Sequence, residues 1–150
     1  VAVQLITAYN QRLAVMHCVA AYPVRDYAEH NLSCITTLRE AYPELVIGWS
    51  GHDSGIALAM AAYTLGARVI EMHFTLNRAN KGTDNAFSLE PAGLGKMVRD
   101  LGRAHAALGD GQKRYYPSEI APISKMRRRE LPDGSFRITG QKDEPSRADR

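Results

Sequence analysis

The chain has 150 residues, 45% of them hydrophobic and 23% charged, with a formal net charge of +3; these proportions are ordinary for a globular domain and exclude collagen, a wholly disordered chain and a disulfide scaffold. No apolar run reaches the roughly 18 residues of a membrane span, and residues 1–8 lack the basic flank and cleavage site of a secretory signal. The two cysteines, Cys18 and Cys34, have no metal-site spacing, so no disulfide framework is expected and a reducing, cytoplasmic compartment is the default.

The elements follow in chain order. Ala2, Leu5, Ile6 and Tyr9 recur at i, i+3, i+4 and i+7, which predicts a helix over 1–12. Residues 13–19 form a nearly all-apolar run, as a parallel strand covered on both faces does. A polar loop follows around 23–29. Leu32, Ile35 and Leu38 stripe the next helix, which Pro43 ends. Residues 45–50 read as a second strand. Asp53 or Ser54 is placed to cap a helix over 55–65, with Gly66 as its left-handed stop. Residues 69–75 read as a third strand and 76–88 as a long polar loop. Pro91 suits a first helical turn, and Leu94, Met97, Val98, Leu101 and Leu108 line a last helix that stops at Gly109.

One helix followed by three strand–loop–helix units predicts an α/β layer with a parallel sheet and right-handed crossovers. A closed eight-unit TIM barrel needs roughly 250 residues, so the chain reads either as an open sheet or as part of a (β/α)8 barrel. Val1 in place of an initiator Met points to a fragment or a processed chain. No glycine-rich fingerprint of a dinucleotide or phosphate loop is present.

The domain boundary is expected at 112. Residues 1–112 hold 9 Lys/Arg against 10 Asp/Glu, whereas 113–150 hold 10 against 6. The second part reads as a basic, poorly structured tail, with one short strand at 135–139. Arg127, Arg128 and Arg129 could meet nucleic acid or an anionic surface. No aromatic residue interleaves with them, as single-strand binding requires. A solvated tail is therefore the preferred reading, and no nucleic-acid partner is expected.

Strand alternation locates the chemistry, because successive side chains point to opposite faces. Val69, Glu71 and His73 share one face of the third strand; Ile70, Met72 and Phe74 share the other, which suits packing against helices. In the second strand Ile47 and Trp49 face the helices, and Gly48, Ser50 and His52 face the opposite way. Each of two adjacent strands therefore delivers an inward histidine near its carboxyl end, where ligands bind in such folds. Strands about 4.8 Å apart allow two imidazoles to reach one metal ion at about 2.1 Å per bond. Glu71, one step below His73, reads as a supporting acceptor or an acid/base. The competing reading is that both histidines are hydrogen-bonded core residues. His17 reads as structural, His30 and His105 as helix positions without partners, and both cysteines as small core residues. The loop at 76–88 carries Arg78, Lys81, Asp84, Asn85 and Ser88 over the same end, and its length favours a binding role.

Three stretches carry a family resemblance. They are His17-Cys18-Val19-Ala20-Ala21-Tyr22-Pro23, then Ile47-Gly48-Trp49-Ser50-Gly51-His52, then Glu71-Met72-His73-Phe74-Thr75-Leu76-Asn77-Arg78. With Gly82-x-Asp84 and Phe87-Ser88-Leu89-x-Pro91, they resemble the sialic acid (N-acetylneuraminate) synthase family over residues 1–110. The resemblance implies a (β/α)8 barrel followed by a small antifreeze-like domain, of which this chain supplies strands six to eight.

It also implies a transferase reaction. Carbon 3 of phosphoenolpyruvate attacks the aldehyde of open-chain N-acetylmannosamine, its 6-phosphate or a related N-acyl sugar; water adds at carbon 2 and phosphate leaves by carbon–oxygen cleavage. A divalent metal, Mn2+ or Mg2+, would be held by His52 and His73. Ser50 would meet phosphoenolpyruvate, Tyr22 and Asp84 the sugar, and Glu71 would support the metal or the sugar end, so that Glu71 and His73 are the catalytic pair.

The sequence departs from the family pattern at Gly51, where an Asp is usual, at Ala20, where an Asn is usual, and at Met72, where a basic residue is usual. The chain alone is expected to be inactive without the other strands. The alternative is a non-catalytic subunit that associates with itself, or with the missing barrel part, through open sheet edges.

Overall fold

The structure, a computed structural model, describes residues 2–138. The chain divides into two units, Val1–Gly109 and Asp110–Arg150. In the first, helix α1 (Ala2–Thr7) precedes strand β1 (Ala14–Cys18). Helix α2 (Cys34–Ala41) leads to β2 (Val46–Gly51), α3 (Ala57–Thr64) to β3 (Val69–Met72), and α4 (Pro91–Leu108) closes the unit. The strands form one parallel sheet in the order β1-β2-β3.

One face of that sheet is the core. Ile47 and Trp49 of β2 pack against Ile35 of α2, Ala59 and Ala62 of α3, and Met97 of α4. The alanines let α3 lie close to the sheet, and Trp49 fills the space they leave. Helix α3 ends on a Schellman motif: Gly66, at φ +110°, donates from its N–H to the Tyr63 carbonyl, and Ala67 donates to Ala62, both at 3.0 Å.

The register sets the other face. Cys18 lies opposite Ser50, and Ser50 opposite Glu71, so these three form a row across the sheet, with Met16, Gly48 and Val69 as the row below.

Cys18 and Cys34, expected in the core, are exposed and half-buried respectively, and four expectations about the elements need correction. The first helix stops at Thr7 instead of continuing to residue 12. Its apolar stripe has no surface to cover, and Leu5, Ile6 and Tyr9 remain exposed. Neither Asp53 nor Ser54 caps α3, whose N-cap is Ile56 without a side-chain bond; Asp53 is buried instead. The third strand ends at Met72, and beyond it Phe74 pairs in parallel with Leu89. Having left the sheet, Phe74 is half-exposed and not packed against helices.

The fourth correction concerns the second unit. The part of it read as poorly structured carries, up to Ile138, a 3-10 turn (Pro117–Glu119), a helix α5 (Ile120–Met126) and an antiparallel hairpin of β4 (Arg128–Glu130) with β5 (Phe136–Ile138). Asp133-Gly134 supplies the turn. Gly134 has φ +79°, and the Asp133 carboxylate accepts from the Ser135 N–H at 2.9 Å. The strand expected over 135–139 is the second arm of this hairpin; Thr139 and the rest of the expected loose tail lie outside the described residues. No described helix is long and apolar enough to cross a membrane.

Candidate active site at the carboxyl ends of the strands

The extended backbone of β2 carries Ser50 to the open face, and His52 follows at its tip. Strand β3 does the same with Glu71 and His73. Because Ser50 and Glu71 are register partners, their side chains meet: the Ser50 hydroxyl donates to Glu71 Oε2 at 2.5 Å. Directly above them the two imidazoles lie with ring centres 5.2 Å apart and planes at 84°.

His52 is held from both sides by the segment that follows β1. Its Nδ1 lies 2.8 Å from the Val19 carbonyl, and its own carbonyl accepts from the Val24 N–H at 2.9 Å. A carbonyl only accepts, so Nδ1 carries the proton and the Nε2 lone pair is free. The same stitching folds Tyr22 over the pair, its ring 4.3 Å from His52 and 5.8 Å from His73. His52 is only 3% exposed under this cover. His73 is a quarter exposed, with its Nδ1 3.6 Å from Asp84 Oδ2 and the buried Phe87 ring 5.1 Å behind it.

Asp84 arrives on a braced loop. Parallel pairing closes its base: Leu89 donates to the His73 carbonyl at 2.8 Å and Thr75 to the Leu89 carbonyl at 2.9 Å. Arg78 spans the loop, its Nε donating to the Ala86 carbonyl at 2.8 Å while its backbone N–H donates to Glu90 Oε1 at 3.0 Å. Ser88 Oγ donates to the Asp84 carbonyl at 2.7 Å.

Tyr22, Ser50, His52, Glu71, His73 and Asp84 thus gather at one place. Among the described residues no group of three or more His, Cys, Asp or Glu side chains is placed to hold a metal ion; a cation bound by His52 and His73 would take its other donors from elsewhere. The separation suits that arrangement: with nitrogens bound at about 2.1 Å and bond angles of about 90–110°, two ring centres lie about 4.6–5.3 Å apart. A separate cavity of about 550 Å3 lies at the other ends of the strands, lined by Gln4, Thr7, Gln11 and Glu44, and holds none of these residues.

Three features of the site escaped the sequence reading. Asp53 is 3% exposed, its Oδ1 has no partner, and burial pushes its carboxyl above the usual range, against the opposing pull of its own backbone N–H, His30 and His52. His30 is buried in a 3-10 turn (Tyr27–His30) with its Nε2 also unpartnered, and its carbonyl lies 2.7 Å from His17 Nε2. Gly51 has a structural reason: a Cβ there would stand 2.3 Å from the Trp49 ring. The sole signal was the pair of polar letters at 52 and 53, which alternation would have split between faces. His105, expected to lack a partner, meets the Tyr63 hydroxyl at 2.8 Å across α3 and α4.

Known proteins are similar to this chain in sequence and fold. A NeuB family profile matches residues 1–113. The N-acetylneuraminate-9-phosphate synthase of Mus musculus is 37% identical over 123 residues, covering 82% of this chain and 34% of that protein. The N,N'-diacetyllegionaminic acid synthase of Campylobacter jejuni is 37% identical over 121 residues, covering 81% and 36%. Among solved structures, the sialic acid synthetase of Leptospira borgpetersenii in complex with citrate matches with a TM-score of 0.63 at 38% identity, over 73% of this chain and 38% of that one. The chain spans about a third of the length of these curated relatives. It belongs to the NeuB family, the sialic acid synthase family.

Proposed function

We propose that this chain is the metal-binding arc of a sialic acid synthase-type (β/α)8 barrel, its strands six to eight, and that together with the remaining strands it condenses phosphoenolpyruvate with an N-acyl amino sugar and releases phosphate. The observation that carries this reading is the pair of imidazoles 5.2 Å apart, with His52 turned so that Nε2 is its free nitrogen. Its relatives that make N-acetylneuraminate 9-phosphate and diacetyllegionaminic acid support the reaction class. A divalent cation, Mn2+ or Mg2+, held by His52 and His73 would supply Lewis-acid polarisation of a carbonyl oxygen, an effect of several kcal/mol on developing negative charge.

The side chains around that position have distinct tasks. Tyr22 lays its ring over His52, excludes water from that side and walls the sugar. Glu71 accepts a hydrogen bond from the Ser50 hydroxyl at 2.5 Å, which fixes the serine rotamer; Ser50 then meets phosphoenolpyruvate through a water that donates to both, or turns its proton to the substrate. Glu71, next to the open face, is the candidate acid/base. Asp84 presents a carboxylate to the sugar hydroxyls.

The test is phosphate release from phosphoenolpyruvate and N-acetylmannosamine when the chain is supplied with the missing strands. Mn2+-dependent release that disappears in His73→Ala supports the reading; release unaffected by that substitution overturns it. A second reading rests on the sheet edges. Strands β1 and β3 each have one unpaired side among the described residues, and Val69 of β3 is partly exposed. A non-catalytic subunit that pairs through these edges would give oligomers in gel filtration that survive His52→Ala and His73→Ala.

A further inference from the structure

The two imidazoles are oriented by different means. His52 owes its tautomer to the backbone: the Val19 carbonyl 2.8 Å from Nδ1 leaves it no alternative. Among the described residues the His73 ring makes no hydrogen bond; the polar group facing its Nδ1 is the Asp84 carboxylate, 3.6 Å away. That distance is too long for a hydrogen bond, so the carboxylate acts on the ring electrostatically. A carboxylate beside one ring nitrogen favours the proton on that nitrogen and leaves the lone pair on the other. In water a free imidazole prefers the opposite form.

The surroundings give this contact a purpose. Asp84 is fixed by Ser88, whose Oγ and N–H both donate to its carbonyl, at 2.7 and 3.2 Å. Phe87, from the same loop, backs the His73 ring. One loop therefore supplies both the packing behind the ring and the charge at its Nδ1. Leu89, where the loop returns, pairs with the His73 backbone.

We propose that Asp84 is a positioning residue for His73: it holds the Nδ1–H tautomer, so that Nε2 is the nitrogen presented toward the position His52 also faces. This deepens the proposed function and rests on it for the identity of the bound group, a divalent cation. A carboxylate that only binds sugar would leave the ring of His73 unaffected when no sugar is present, and this difference is measurable.

The experiment is long-range 1H–15N correlation on the uniformly 15N-labelled full chain above neutral pH without metal, followed by Mn2+ titration without sugar. Wild type is expected to show the Nδ1–H form at both His52 and His73. Asp84→Ala is expected to move His73 toward the Nε2–H form, leave His52 unchanged, and weaken Mn2+ binding about 10–100-fold, the usual effect of removing such a partner. Asp84→Asn, which keeps the shape and removes the charge, is expected to move His73 in the same direction as Asp84→Ala, whereas Asp84→Glu, which keeps the charge, is expected to retain most of the wild-type pattern. The His52 signals report folding: should Asp84→Ala disturb them, Asp84→Asn and Asp84→Glu decide through the His73 signals. A His73 tautomer that is Nε2–H in wild type, or identical in wild type and Asp84→Ala, overturns the proposal. A wild-type chain with the expected tautomers and no Mn2+ binding supports the Asp84 contact and overturns the metal reading instead.

Discussion

Replacing Gly51 by Ala tests the packing that places the site. A Cβ at residue 51 would stand 2.3, 2.6 and 2.8 Å from three carbons of the six-membered ring of Trp49, where ordinary contacts are about 3.5–4.0 Å. The ring must retreat by more than an ångström, or β2 must bend. Retreat is blocked because Trp49 is 1% exposed and Ile35, Ala59 and Ala62 behind it are fully buried. Overpacking of this kind costs about 1–3 kcal/mol, which for a unit of this size lowers the melting temperature by about 5–20 °C. Trp49 is the chain's single tryptophan, so its fluorescence in a urea titration reports both the stability and the ring's environment. The expected result is a lower midpoint with a shifted native emission. An unchanged midpoint and emission would refute the claim that Trp49 occupies the space beside residue 51. Gly51→Asp adds a carboxylate to the same clash, so it is expected to be the more damaging change.

Asp53→Asn should raise stability at neutral pH. Burial holds the Asp53 carboxyl above its ordinary value of 3.8, so the folded chain binds this proton more tightly than the unfolded one. The contribution is full below the unfolded value and is lost as pH rises through the folded value; the wild-type-minus-variant difference in melting temperature, measured from pH 3 upward, should fall across that window, and a flat difference would contradict it. Arg78→Ala removes the brace to the Ala86 carbonyl, an exposed hydrogen bond of roughly 0.5–1.5 kcal/mol. Amides of residues 79–87 should then exchange about 2–10-fold faster while those of α4 stay protected. Ser50→Ala should change stability by no more than about 0.5 kcal/mol, since the bond to the exposed Glu71 is open to solvent, while freeing Glu71; a large loss of stability would show that the pair is structural.

What the sequence made legible was whatever depends on local periodicity. Alternation in two short segments was enough to put Ser50 with Glu71 and His52 beside His73, because strand geometry leaves a side chain only two directions. Gly66 and Pro91 marked the ends of helices they do in fact bound. Tyr22 and Asp84 sit on loops without period, so their place beside the histidines followed from the family resemblance and not from pattern. The first helix was overextended because a stripe at helical spacing says nothing about whether a surface exists to receive it. Of the β4–β5 hairpin only the second arm was legible, because β4 is three charged residues without an apolar alternation, whereas Phe136 and Ile138 flank Arg137 at strand spacing. The burial of Asp53 and His30 depends on which chain segments meet, and a composition or spacing argument has no access to that; the contact of Gly51 with Trp49, two residues apart on one face of β2, depends on the tryptophan rotamer, which alternation does not fix.

The central claim is that His52 and His73 share one divalent cation. Titration of Mn2+ into the full chain, followed by electron paramagnetic resonance of the free ion with and without phosphoenolpyruvate, tests it most directly. One site per chain is expected, weakened at least about tenfold by His52→Ala or His73→Ala and lost in the double variant. Binding of equal strength in all four proteins, or none in the wild type under either condition, would contradict it.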